Sequence, residues 1–222
     1  MTANQPPHDF TMMLVIHDAF LRDLRRLTAA LEAAADGTAV PGRAPALLER
    51  WEWMTEQIHH HHHGEDDVLW PALREVLPDD PAALRVLDRM EHEHDELGPR
   101  QADLDRSLRA FAAAPSAATA RAALGPCRAF ADALADHLAH EERDAVPLLE
   151  HRLPGAVLHR FERGQQRQLG LRAAMTQFFP WLLDEAPPER REHVLGRLPA
   201  PLRWWVLRSV PGHSRRTAPA WV

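Results

Sequence analysis

The chain has 222 residues, a formal charge of -6 and a 45% hydrophobic fraction, enough for a real core and too apolar for a disordered polymer. Mild acidity argues against non-specific nucleic-acid binding, which needs a basic face, so no nucleic-acid partner is expected. Cys127 is the single cysteine, so no internal disulfide can form and any metal site must draw on histidine and carboxylate ligands.

The opening residues, MTANQPPHDF, hold no basic segment and no long apolar run, so no secretion signal is expected. The first helical segment runs from about Asp9 to Ala35 and ends in the breaker sequence DGTAVPG. The second runs from about Pro45 to Leu77. It contains QIHHHHHGEDDVLWPAL, and Gly64 and Pro71 predict a kink or break near Pro71. The third runs from about Pro81 to Ala113, with a bend expected at Gly98-Pro99. After the linker AAAPSAAT, the fourth runs from about Ala118 to Glu150, with bends expected at Gly125-Pro126 and Pro147. The remainder, from Leu153, is rich in Arg and Pro and holds four of the seven tryptophans. GAVLHRFERGQQRQLGLRAAMTQFFPWLLDEAP reads as one or two helices, PERREHVLGRLPAPLRWWVLRSV as two short ones, and PGHSRRTAPAWV as loosely ordered.

Strand patterning is poor, while Ala, Leu, Arg and Glu dominate. The expected fold is all-α: an antiparallel four-helix bundle over residues 1–152, with short C-terminal helices over residues 153–222 packing on the bundle or on a partner. No stretch reaches bilayer length, and a cytoplasmic protein is the default. The WW segment could sit at a membrane interface, but packing is the preferred reading, with a homo-oligomer contact as the alternative.

The histidines decide the chemistry. In the second segment, Met54, Ile58, His61, Glu65, Val68 and Ala72 form one stripe at alternating three- and four-residue steps. His61 and Glu65 lie one turn apart within it. The fourth segment repeats the pattern with Phe130, Leu134, His137, Glu141 and Leu148, again spaced H-x-x-x-E. The first places His17 among Leu14, Leu21, Leu24, Thr28 and Leu31. The third places His94 among Leu87, Met90 or Glu91, Leu97, Gln101, Leu104 and Leu108. Each helix thus carries an inward imidazole at similar depth. Buried together, His17, His61, Glu65, His94, His137 and Glu141 are costly unless something binds them. Four imidazoles and two carboxylates suit borderline divalent metals, iron first and then manganese or zinc. The carboxylates can each bridge two ions, so charge permits a two-metal site carrying a hydroxide or oxo group. A lone histidine on such a stripe is ordinarily a satisfied core residue, and a lone H-x-x-x-E pair a solvated one. Four matched helices argue against both readings.

IHDAF, HHGEDDVLWP, MEHEHDEL and HLAHEERDAVPLL together resemble the hemerythrin-like proteins of the HHE cation-binding type, over roughly residues 10–150. The resemblance implies a non-heme di-iron centre inside a four-helix bundle. It makes His17, His61, His94 and His137 terminal ligands and Glu65 and Glu141 bridges. Oxygen-carrying members place a second histidine four residues before the third-helix one. Here that position is Met90, which leaves an open iron or one completed by Glu91 or water, and suits peroxide or oxygen chemistry better than reversible carriage. His62 with Asp66 is the alternative register to His61 with Glu65. His59, His60 and His63 are read as solvated or as orienting a ligand, and His140 as surface. Glu142 and Asp144 are expected to pair with Arg143 or other helices, and Cys127 to be a small buried hydrophobe.

Three functions follow. The first is a di-iron protein that binds or reduces peroxide or dioxygen, with turnover left open. The second is a non-enzymatic sensor or store for iron, oxygen or nitric oxide. The third is a structural helical interaction protein with no specific metal.

Overall fold

The computed structural model describes residues 6–38 and 41–221. The first half of the MTANQPPHDF opening and the last tail residue, Val222, lie outside them. Every regular element among the described residues is helical. Helix α1 spans Thr11–Ala35 and closes on Gly37, whose φ of 74° favours glycine. Helix α2, Ala44–Gly64, passes through a π-helical turn, Glu65–Leu69, into α3, Trp70–Val76. Helix α4, Pro81–Ala113, starts with Pro81 in its first turn and with the Asp80 carboxylate accepting from the N–H groups of Ala82 and Ala83. Helix α5, Ala117–His140, opens on a reciprocal Ser116–Thr119 capping box. It continues through a second π-helical turn, Glu141–Ala145, into α6, Val146–Arg152.

The prolines explain the turns. In a regular helix the proline ring collides with the carbonyl four residues earlier. Pro71 and Pro147 each follow a π-helical turn that contains that carbonyl, of Asp67 and Arg143 respectively. The wider turn moves it aside, closed by Trp70 N–H on Glu65 O and Val146 N–H on Glu141 O. A third copy, Ala174–Phe178, precedes Pro180 at the same offset. The interruptions predicted at Pro71 and Pro147 therefore take one common form. At Pro99 and Pro126, by contrast, α4 and α5 run on as single helices.

Around the bundle, α1 packs on α5, α5 on α4 and α4 on α2. Helices α1 and α2 touch least, and the C-terminal part fills that side. It comprises α7 (Gly155–Leu169), α8 (Leu171–Ala173), α9 (Phe179–Leu183), α10 (Pro188–Gly196) and α11 (Ala200–Trp221). The Trp181 ring of α9 wedges between Phe20 of α1, at 5.5 Å, and Trp53 of α2, at 4.9 Å. One expectation is corrected here. PGHSRRTAPAWV is helical as far as Trp221, and α11 is one long helix rather than a short helix and a loose end. Its breakers are overridden by burial, because Val206, His213, Thr217 and Ala220 form one buried face of α11.

Two apolar cores result. One holds the Leu24, Leu31, Trp51, Leu104 and Phe130 end of the bundle together with Trp181. The other holds Phe10, Trp70, Leu87, Met90 and Leu149. The inward histidines and glutamates form a polar layer between them.

Candidate metal centre

All six positions named from the stripes lie in that layer. His17 comes from α1, His61 from α2, His94 from α4 and His137 from α5. Glu65 and Glu141 each open the π-helical turn that follows their histidine. Such turns recur at functional sites.

The layer has two halves. His17, His61 and Glu141 bring ligand atoms within 4.8 Å of one another, and so do His62, His94 and His137. In the first, His17 Nε2 lies 2.8 Å from His61 Nε2 and 3.3 Å from Glu141 Oε2. In the second, His94 Nε2 lies 3.1 Å from His137 Nε2, and the His62 ring stacks on His94 with centroids 4.1 Å apart. Glu65 spans the two. Its Oε1 is 3.1 Å from His61 Nε2 and its Oε2 is 3.6 Å from His94 Nε2. Donors about 2.0–2.2 Å from one ion sit about 3 Å from each other, so these spacings match cation-bound donors.

Hydrogen bonding on the outer ring edges sets the tautomers. His17 Nδ1 donates to Glu142, at 2.9 Å, His94 Nδ1 to Asp66, at 2.8 Å, and His137 Nδ1 to Glu93, at 3.1 Å. A neutral ring that keeps its proton on Nδ1 and donates it in a hydrogen bond in this way presents a lone pair at Nε2. In the His94–His137 pair the Nε2 atoms therefore face each other lone pair to lone pair, an arrangement that only a proton or a metal ion reconciles, and the His17 lone pair faces His61 Nε2. Burial opposes the proton. Burial first, then the His17 ring, holds His61 well below the usual imidazole range. Burial, then His94, does the same to His62. Burial also lowers His137, against its hydrogen bond to Glu93. Burial, then the facing Glu141, pushes Glu65 well above the usual carboxylate range. Both oxygens of Glu65, both of Glu141 and His62 Nε2 are buried without a hydrogen-bond partner. Buried polar atoms are rarely left so, and these five are all of metal-ligating type and lie in the layer.

Three expectations change. His62 does not compete with His61: both rings are buried and each serves a different half. Glu91 does not complete the set, because it pairs with Arg74 at 2.7 Å, and Met90 is packed in the second core. The imidazole lacking at Met90 is matched by His62 from another helix. His140 is not bare surface, since it hydrogen-bonds Glu93 at 2.8 Å, behind His137. Glu93 is pulled down to about 2, its burial outweighed by hydrogen bonds from His137, Arg89 and His140.

The outer carboxylates Asp66, Glu93 and Glu142 carry a signal in the sequence that the stripes passed over. In both acidic pairs, Glu65-Asp66 and Glu141-Glu142, the first residue turns inward and the second accepts a hydrogen bond from a histidine of a neighbouring helix. His59 and His63 are exposed, as expected. Cys127 is buried beside Thr28, and burial raises its thiol to about 11.

The model of the family described as Hemerythrin HHE cation binding domain matches residues 8–149. No curated protein and no solved structure matches the chain. Among the described residues, no helix is long and apolar enough to cross a membrane.

Proposed function

Because this chain belongs to the hemerythrin HHE cation-binding family, we propose that its polar layer holds two iron ions and that the protein binds, and reduces, small oxygen species such as peroxide or dioxygen. The observation that carries the reading is the pair of facing Nε2 contacts, with His17, His94 and His137 each backed by a carboxylate on Nδ1. Carboxylate–imidazole pairs of this kind orient metal-bound histidines and raise their basicity. In this assignment His62, His94 and His137 would hold one ion and His17 and His61 the other, with Glu65 and Glu141 supplying the carboxylate ligands. Bound iron supplies paired one-electron redox changes, and manganese or zinc could occupy the same donors.

The chain's own contribution is placement and proton control. The two apolar cores close the layer from either end and keep bulk water from its donors. Glu93 fixes the His137 tautomer and joins it to His140, which lies nearer solvent, so the outer edge of that half has a route for protons. His62 makes the two halves unequal. One has three imidazoles, and the other has two and keeps room for an exogenous ligand.

Metal content of the untagged protein, measured by plasma mass spectrometry after a mild chelator wash, tests this. The wash removes metal held loosely by the exposed His59 and His63. About two retained irons per chain are expected, with strong loss in His137→Ala and Glu141→Ala and a preferential loss of one ion in His62→Ala. No retained metal in folded protein supplied with iron would overturn the reading. The enzymatic part fails separately if stopped-flow mixing with peroxide gives no turnover above free iron.

A further inference from the structure

A cavity of about 590 Å³ lies between the bundle and the C-terminal helices. That size falls within the range of about 300–1,000 Å³ typical of small-molecule sites. The inner wall includes Ile16 of α1 and His61 of α2, and the outer wall includes Phe161, Ala174, Met175 and Phe178. His61 is the same ring whose Nε2 meets His17 and Glu65, so a molecule in the cavity stands directly against the two-imidazole half. The C-terminal part makes this enclosure, because residues 8–149 alone lack the outer wall. Helix α7 passes so close over α2 that a Cβ at Gly64 would fall on the Gln165 amide and 2.8 Å from the Phe161 ring.

The wall chemistry selects the occupant. Met, Phe, Leu and Ile side chains dominate the lining. Among the described residues its one guanidinium, Arg197, is already held by two carboxylates: Nη2 donates to Glu162 at 2.6 Å, and Nη1 lies 3.6 Å from Asp9. Among the described residues, an anionic head group would find no unpaired cation and two carboxylates nearby.

We propose that this cavity binds a neutral, largely apolar organic molecule against His61, as the organic substrate or ligand of the adjoining centre. The link to the centre rests on the di-metal reading above; the binding itself does not.

Two probes that share an apolar body make the test: N-phenyl-1-naphthylamine, which is neutral, and 1-anilinonaphthalene-8-sulfonate, which is anionic. Titrated by fluorescence into the full chain, the neutral probe should saturate at one site, and the sulfonate should bind at least roughly tenfold more weakly. Ile16→Trp and Ala174→Trp fill the cavity from opposite walls and should each abolish the neutral probe's binding while helicity and metal content stay at the parent level. Glu65→Gln should lose metal and keep the probe. In cobalt(II)-loaded protein, saturation with the neutral probe should shift the visible ligand-field bands. Equal binding of both probes, or undiminished binding in both filled and folded variants, would overturn the proposal. Probe binding without any band shift would overturn its placement against His61. Probe binding by the parent protein, if that protein retained no metal when supplied with iron, would uphold the cavity and sink the di-metal reading alone.

Discussion

Among the described residues, two clusters of buried polar side chains are built on opposite logic. At the junction of the bundle with the C-terminal helices, unlike groups meet. Asp23 accepts from Arg22 at 2.8 Å, from the Trp181 indole at 2.9 Å and from Arg50 at 3.3 Å. Arg22 also donates to the carbonyls of Trp181 and Asp184, and Arg26 to the Asp184 carboxylate. Within this set one polar atom, Arg50 Nε, lacks a partner. In the histidine layer like groups meet, imidazole against imidazole and Glu65 against Glu141, and five oxygen and nitrogen atoms of Glu65, Glu141 and His62 are unsatisfied. Burial of polar groups therefore does not by itself mark a site. The mark is burial of polar groups that cannot satisfy one another, because only an added ligand makes such a set stable.

Glu65→Gln should break this contrast most sharply. Its two oxygens face different halves, so an amide there removes a charge from both. Retained metal should fall from about two ions per chain to near zero. The metal-free protein should fold as well as the parent, because the change removes a buried carboxylate that has no hydrogen-bond partner. Metal analysis and thermal melts on the same sample check both halves of the statement.

Asp23→Ala should do the reverse. It leaves Arg22 and Arg50 buried without their carboxylate, a loss of about 3–5 kcal/mol by the usual cost of breaking a buried pair. Urea unfolding should show the full loss, while metal content per folded chain stays at the parent value. If metal fell in proportion to stability, the two clusters would be one cooperative unit and the contrast would fail.

The two clusters also differ in how far they are legible from the sequence. The stripes of α1, α2, α4 and α5 place His17, His61, Glu65, His94, His137 and Glu141, because a polar residue interrupting an apolar period is visible in one dimension. His62 is not visible in this way. Helix α2 has α1 on one side and α4 on the other, so neighbouring residues about 100° apart can both be buried, each against a different helix. A one-face reading of the helix forces a choice that the bundle does not. The junction cluster is harder still. Arg22 and Asp23 look like ordinary solvated charges until α9 lies over them. Likewise Pro211 and Pro219 read as breakers until the buried face of α11 is known.

A finer probe acts on the carboxylates outside the layer. Glu93→Gln keeps the shape but weakens the acceptor behind His137 and His140. Changes behind a ligand histidine typically cost about 10–100-fold in metal affinity. Competition with a chelator of known affinity should return a value in that range, and Asp66→Asn, behind His94, should match it. An unchanged affinity in both variants would leave the Nδ1 contacts as packing alone.

The mildest effect belongs to the junction and depends on pH. His213, on the buried face of α11, is lowered to about 4 by burial, then by the Arg50 charge, with Asp184 acting in the opposite sense. In the unfolded chain the ring titrates near 6.5. Between those values the unfolded chain binds the proton and the folded one does not, so stability falls as pH falls through that window. The stabilising share is complete above the unfolded value and is progressively lost on acidification towards about 4. One unit into the window, at about pH 5.5, His213 should lower the Tm of the metal-free protein by about 2–4 °C relative to neutral pH. His213→Gln cannot take up the proton, so its melting curves should show a correspondingly flatter pH dependence. Because His213 faces Arg50 and Asp184 rather than the histidine layer, chelator-resistant metal per folded chain should not follow this titration, and a metal loss that tracked it would tie the C-terminal helices directly to the centre.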